Sequence, residues 1–575
     1  MRDSAKRAAL TAACLGLAVT GLPGVASAAG NTVPPKYADQ QLNWTPCPFE
    51  AAEGSRPAEC AVVTVPRDWA NPEAGADLAV SISRVRAGGE KLGSLLVNPG
   101  GPGAQGSSVA GSIAGLEPEL HQGYDLIGMD PRGTGHEGAP EQQGFLCEVP
   151  LDRLPQGGGL DARDRSAESI AEHQKIPRAT AEACQSDAIA PFITTWQTAH
   201  DMDLIRALLQ EEKLNYLGYS YGTWLGAKYA SLFPERSGRM ILDSNVNWQG
   251  RLQAAFEDFP RIGQRWFDEV YLPWTTRQFP ELVGTDVESA RRTWEDVRAF
   301  YAAQGVSPDN FDALFVGVGS EIGWTLSSAV FVAAINEMNG QQPPEPARSA
   351  ELQAMLDEQA RANFGVPLTE LTPQQVADGL AEDYAPVTGT RFAVACGDQP
   401  TRSAQWYQDL SDRQGPELPL NGWAYGLNET CGYWSDAPRQ DLPQLPPEVA
   451  ENVLVIQGEF DPQTAYEQGS SAVDAADGVT MVSVDDSPAH GQYAMANNPC
   501  VDGMVNVFLL HGSRPADAAC PSVPLPGEQE VFPVDGPVTS APTPFLADAG
   551  TGPDHPELRR SLQDQISRAN LNPAA

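Results

Sequence analysis

The segment Gly218-Tyr-Ser-Tyr-Gly222 constrains the fold of this 575-residue chain more than any other. It has the form Gly-x-Ser-x-Gly, and its neighbours supply the context that form needs. Lys213-Leu-Asn-Tyr-Leu217 before it is strand-like. Thr223-Trp-Leu-Gly-Ala-Lys-Tyr-Ala-Ser-Leu-Phe233 after it is helix-like and stops at Pro234. A strand, a sharp turn and a helix leave the serine oxygen standing clear at a helix N-terminus. The glycines remove the Cβ atoms that would obstruct such a turn.

Further segments read as buried strands: Gly93–Val97, Tyr124–Met129, Arg239–Asp243, Asn452–Ile456 and Val479–Val484. Between them Thr198–Gln210 has helical spacing, with Met202, Leu204, Ile205, Leu208 and Leu209 on one face. Strands alternating with helices predict an α/β fold with a mostly parallel sheet and helices on both faces. The alternation stops after Asp243. Residues 247–445 are rich in Trp, Phe and helical periodicity, with a linker at Gln341–Pro346, and the strand pattern resumes at Asn452. A helical cap insertion is the simplest account. It would lie over the strand ends, where open α/β sheets place their sites. The expected organisation is therefore a leader over 1–28, the first part of the core over 29–246 and the cap over 247–445. The rest of the core follows over 446–520. A Pro/Gly-rich tail over 521–575 ends with a short surface helix at Glu557–Ala569.

The leader has a basic start (Arg2, Lys6, Arg7), an apolar run (Ala8–Val19) too short to span a bilayer, and a small-residue cleavage site at Ala26-Ser-Ala28. It predicts export, and Leu10-Thr-Ala-Ala-Cys14 is a poor lipoprotein box. Eight cysteines remain after Cys14 is removed: Cys47, Cys60, Cys147, Cys184, Cys396, Cys431, Cys500 and Cys520. An even number in an exported chain predicts disulfides, and sequential pairing is the simplest of many connectivities. No Cys-x-x-Cys occurs, so neither a zinc site nor a thioredoxin-like site is expected. A net charge of −38 argues against nucleic-acid and anionic-membrane partners.

A serine hydroxyl needs a base to take its proton and a third group to orient that base. Seven histidines are present, and three follow Ser220. His511 ends an apolar helix-like run and His555 lies in the tail. His490, in Asp486-Ser-Pro-Ala-His-Gly491, leaves a strand end, the right place for a general base. The acid expected is Asp461, in Gly458-Glu-Phe-Asp-Pro462 directly after a strand. Glu459, Asp243, Asp485 and Asp486 are its competitors. Oxyanion donors are expected at the Tyr221 amide and, in the loop Asn98-Pro-Gly-Gly-Pro-Gly103, at Gly101. Asp130 and Arg132, in Asp130-Pro-Arg-Gly133, are expected to form ion pairs beneath the site.

Together, Asn98–Gly103, Asp130–Gly133, Leu214–Thr223, Gln457–Pro462 and the Ala-His-Gly around His490 resemble the secreted tripeptidyl aminopeptidases. These are α/β-hydrolases related to proline iminopeptidases. The resemblance runs from about residue 40 to Cys520. It implies the α/β-hydrolase fold, Ser220, Asp461 and His490 as a triad, and Gly101 and Tyr221 as oxyanion donors. It also implies cleavage of short peptides from a free N-terminus. Pro99 stands where proline iminopeptidases carry a histidine, which weakens that narrower assignment. An aminopeptidase must hold the substrate ammonium, and a buried cation wants a carboxylate. Glu321 and Asp398 are the cap candidates. The expectation is a monomeric exported serine exopeptidase without metal or cofactor, acting on peptides with a free N-terminus. Its rivals are a small-ester or amide hydrolase and a binding protein on a dead hydrolase scaffold.

Overall fold

The computed structural model describes residues 33–49, 55–136, 144–155, 159–340, 349–372, 375–376, 387–435, 438–540 and 555–570. The leader and the 341–346 linker lie outside the described residues. Ten strands form one sheet: β1 (Thr45–Pro46), β2 (Glu59–Val65), β3 (Leu78–Val85), β4 (Gly93–Asn98), β5 (Tyr124–Asp130), β6 (Leu214–Tyr219), β7 (Ser237–Asp243), β8 (Val453–Gly458), β9 (Thr480–Asp485) and β10 (Ala518–Pro521). Their order is β1-β2-β3-β5-β4-β6-β7-β8-β9-β10. The first four neighbours pair antiparallel, and every pairing from β5-β4 onward is parallel.

Side chains alternate across a strand, and the two faces of this sheet separate cleanly. Leu96, Ile127, Tyr216, Met240, Leu242, Val453 and Val455 join one buried cluster. Leu95, Val97, Leu126, Leu217, Ile241, Leu454 and Ile456 join the other. Helix α1 (Val109–Leu116) covers the second face, while α2 (Thr195–Leu208) and α3 (Tyr221–Leu232) cover the first.

Between β7 and β8 the chain leaves the sheet. Among its helices there are α4 (Val287–Ala303), α5 (Glu321–Met338), α6 (Ala350–Phe364) and α7 (Thr390–Gly397). The first three share a separate core built on Trp266, Phe267, Tyr271, Trp274, Trp294, Phe315 and Trp324. The later stretch differs, because Phe392, Val394, Cys396, Tyr407 and Cys431 pack into the sheet's own first-face cluster. After β9 come α8 (Pro499–His511) and, at the far end, α9 (Pro556–Asn570). Gly512 closes α8 in the left-handed conformation at φ 74°. The tail helix is not a plain surface helix: Leu562 and Ile566 are fully buried against the second face.

The disulfides pair sequentially: Cys47–Cys60, Cys147–Cys184, Cys396–Cys431 and Cys500–Cys520. Four disulfides suit an oxidising, extracellular environment. No described helix is long and apolar enough to cross a membrane.

Candidate active site

Ser220 stands between β6 and α3 with φ 56°, a conformation that costs a side-chain-bearing residue energy and is kept where the surroundings enforce it. Its N–H donates to the Asp243 carbonyl at 3.0 Å, and the Thr223 hydroxyl closes on the Ser220 carbonyl at 2.6 Å. Six side-chain-bearing residues are described at positive φ, and five of them lie on this corner: Ser220, Ser244, Asp486, Ala494 and Asn497. Strain is thus concentrated at one end of the parallel strands.

Asp461 follows β8. Its carboxylate accepts from the amides of Gln463 and Thr464 at 2.8 and 2.9 Å and from the Thr464 hydroxyl at 2.7 Å. His490 Nδ1 lies 2.9 and 3.0 Å from its two oxygens. An ionised carboxylate only accepts, so Nδ1 carries the ring proton and Nε2 of the neutral ring keeps a lone pair. Asp461, His490 and Ser220 are all buried.

The loop bearing His490 is tied to the elbow through β7. Asp243, whose carbonyl holds Ser220, uses its carboxylate to accept the amides of Gln492 and Tyr493. The Ser244 hydroxyl accepts the Gly491 amide at 2.7 Å, and the Tyr219 hydroxyl donates to the Tyr493 carbonyl. On the cap side the His490 amide donates to the Gly319 carbonyl at 2.9 Å. The competing acids are occupied otherwise. Asp243 clamps the loop, Glu459 accepts the amides of Asp486 and Val538, and Asp486 accepts the Val534 amide.

Against the elbow lies the loop after β4. Gly100, at φ 99°, approaches so closely that a Cβ there would stand 2.4 Å from the Tyr219 carbonyl oxygen and 3.3 Å from the Tyr221 amide nitrogen. Gly101 follows at φ 109°. The Tyr221 amide opens α3, among the N–H groups that a helix leaves without an internal partner. Asp130 holds the loop from below, accepting the amides of Gly106 and Ser107. Arg132 finds a different acid, making a buried two-pronged pair with Asp201.

The two sequence candidates for the substrate ammonium fare differently. Asp398 is buried beneath α3, where it accepts the Thr195 amide at 2.8 Å and the Trp224 indole N–H at 3.2 Å. Burial pushes its carboxyl up to about 6. Those bonds make it a brace of the core, a correction to the sequence expectation. Glu321 opens α5 on the rim of a cavity of about 430 Å³, facing Arg560 at 3.6 Å.

A second cavity, of about 140 Å³, begins at Pro462 and Gln463, next to Asp461, and runs to Arg391, Tyr425 and Glu429 beneath Phe256, Phe259 and Phe392. Glu429 accepts the Cys431 amide at 3.0 Å, and burial raises its carboxyl. Burial lowers Arg391 to about 10. Arg391 Nη1 and Gln463 Oε1 are buried without a partner among the described residues. Sequence reasoning missed these residues. The signal available was Cys431, whose bond to Cys396 draws 429 and 391 together.

Sheet order, elbow and the acid–imidazole pair behind it place the molecule among the α/β-hydrolases, as an enzyme of the serine hydrolase class. Residues 93–342 match the α/β hydrolase fold family, and residues 419–520 match the family described as TAP-like protein. A tripeptidyl aminopeptidase of Streptomyces coelicolor is 29% identical over 509 residues, covering 83% of this chain and 86% of that protein. The serine protease Hip1 of Mycobacterium tuberculosis is 27% identical over 523 residues, covering 88% and 96%. Carboxylesterase B of the same organism is 31% identical over 225 residues, covering 35% and 41%. The chain belongs to the α/β-hydrolases and carries a TAP-like match over residues 419–520.

Proposed function

We propose that this enzyme is an exported serine exopeptidase that releases di- or tripeptides from a free N-terminus through an acyl-enzyme. The observation that carries the reading is the cavity that starts at Pro462 and Gln463, next to Asp461, and ends on the half-buried carboxylate of Glu429. Ser220 Oγ attacks the scissile carbonyl while His490 Nε2 takes its proton. His490 then gives that proton to the departing amine, and water repeats the sequence on the ester. Asp461 fixes the ring and stabilises the imidazolium. The amides of Gly101 and Tyr221 receive the oxyanion.

In this reading Glu429 receives the substrate ammonium, and Arg391 Nη1 donates to a carbonyl of the bound peptide. A space of about 140 Å³ is near that of a cavity that holds one benzene-sized group, so it suits a short segment and not a long chain. The inserted helices act as the cap, within residues 247–445, and the later part of that insertion packs on the sheet. Export is supported by the basic-apolar-small leader and by the four disulfides. The curated relatives along most of the chain's length are peptidases by name, which favours amide over ester substrates.

The test compares chromogenic tripeptides with free and acetylated N-termini. Cleavage of the free form alone is expected, and equal turnover of both would defeat the aminopeptidase reading while leaving a hydrolase. Ser220→Ala is expected to lower kcat by about 10⁴-fold or more and to abolish labelling by a fluorophosphonate. Glu429→Gln is expected to raise KM for free-amine peptides about tenfold or more while leaving hydrolysis of a small acyl ester unchanged.

A further inference from the structure

The chain's own C-terminal helix packs at the edge of the catalytic corner. Along one side α9 packs on α1, the helix that follows the glycine loop beside Ser220, burying Leu562 and Ile566 among Val109, Ile113 and Met495. On the other side it meets the cap. Gln563 Oε1 accepts the Glu321 amide at 3.0 Å, and Arg560 faces the Glu321 carboxylate. At its far end Ser567 reaches Gln463, accepting from its side-chain amide at 2.9 Å through the hydroxyl. Gln463 both holds Asp461 through its own amide and lines the smaller cavity. One helix therefore touches the core beside the glycine loop, the cap, and the residue two places beyond Asp461. Ser220 is 4% exposed and His490 fully buried.

Two arginines of α9, Arg559 and Arg560, sit against acidic partners in a chain of net charge −38. Arg559 lies close enough to the buried Glu117 and Asp502 to lower both carboxyls against the upward push of burial. Arg560 takes up Glu321. An amphipathic helix on an acidic seam can be released as a unit, because its hold is a small buried patch (Leu562, Gln563, Ile566 and Ser567) and charges of which salt screens the part-exposed Arg560–Glu321 pair.

We propose that α9 is an autoinhibitory segment. It occupies the passage between cap and core, and its displacement opens the site to substrate. The proposal rests on Ser220 as the nucleophile, so the measurement is the rate at which a fluorophosphonate labels that serine, with no peptide specificity involved. A chain ending at Ser540 keeps the strap that binds Glu459 and Asp486 and lacks α9. It is expected to label about tenfold faster than the full chain. A synthetic peptide of residues 555–570 is expected to slow it again. Raising the salt concentration is expected to speed the full chain and leave the shortened one unchanged. In the full chain, Ile566→Ala with Arg560→Glu loosens the helix without removing residues and is expected to act in the same direction. Equal labelling of the full chain, the shortened chain and the loosened variant overturns the proposal. So does a shortened chain that loses its near-ultraviolet circular dichroism while the loosened variant labels no faster, since α9 would then be a brace and not a plug. Loss of labelling contrasts in chains where Ser220→Ala still labels would instead overturn the nucleophile assignment.

Discussion

Asp461 reaches His490 in a fixed pose because three donors hold it, and one of them, the Thr464 hydroxyl, can be removed without changing shape. Thr464→Val is expected to lower kcat about ten- to 150-fold with little change in KM, the size of effect of one lost hydrogen bond to a charged group. Steady-state kinetics on the two enzymes check it, and an unchanged kcat would mean that Thr464 only packs. The placement of these side chains was legible in the sequence because each of the proposed catalytic groups follows a strand: Ser220 after β6, Asp461 after β8, His490 after β9. Strand ends are marked by short apolar runs, and a parallel sheet brings them to one edge whatever the loops do. Asp243 was legible as a strand-end acid but not as the clamp on residues 492 and 493, which depends on the path of a distant loop. Glu429 was illegible for the same reason. Nothing local distinguishes it from a solvated acid, and only the fold-back of residues 390–434 buries it.

The elements divide along similar lines. The parallel strands announce themselves as continuous apolar runs because both faces are covered. β2 and β3 escaped notice because they pair antiparallel at the sheet's edge and alternate, leaving Val62 half exposed. The helix at 556–570 was legible in extent but not in role, since its buried stripe consists of few residues on an otherwise polar surface. Within the insertion, α7 belongs with the sheet and is tied to the chain at 431 by the Cys396–Cys431 disulfide, across 35 residues. Replacing both cysteines by serine is expected to cost about 2–4 kcal/mol of stability. Because α7 and residues 425–431 form one wall of the smaller cavity, the same variant should raise KM for peptides more than it lowers kcat. Denaturant unfolding and peptide kinetics on one preparation would separate the two effects. An unchanged KM beside a lowered midpoint would remove that wall from substrate binding.

At the scale of the whole molecule, the balance of buried acids sets the response to pH. Burial, reinforced by the charge of Asp502 beside it, pushes Glu117 up to about 8. Burial likewise raises Asp502 and Glu459 to about 7 and Asp398 to about 6. In the unfolded chain the same groups lose their protons near pH 4 to 4.5. Between those values the folded state therefore holds more protons than the unfolded one, and stability must fall as pH rises, levelling off only above the folded values. Lys228, lowered to about 8 by burial between the carbonyls of Trp248 and Pro443, acts in the opposite sense, but only above that pH. The surplus of negative charge, −38 over the chain, works in the same direction as the acids, because every further ionisation adds repulsion to the compact state. The expected outcome is a Tm at pH 5.5 at least about 3 °C above that at pH 8.0, with the gap narrowed by salt to the extent that repulsion contributes. Glu117→Gln should flatten the profile above pH 6 by removing a group raised to about 8. A Tm that climbs from pH 5.5 to 8.0 would show that these carboxylates are ionised in the folded molecule, with the amides of residues 486, 494 and 538 and the side-chain amide of Asn506 outweighing the cost of burial.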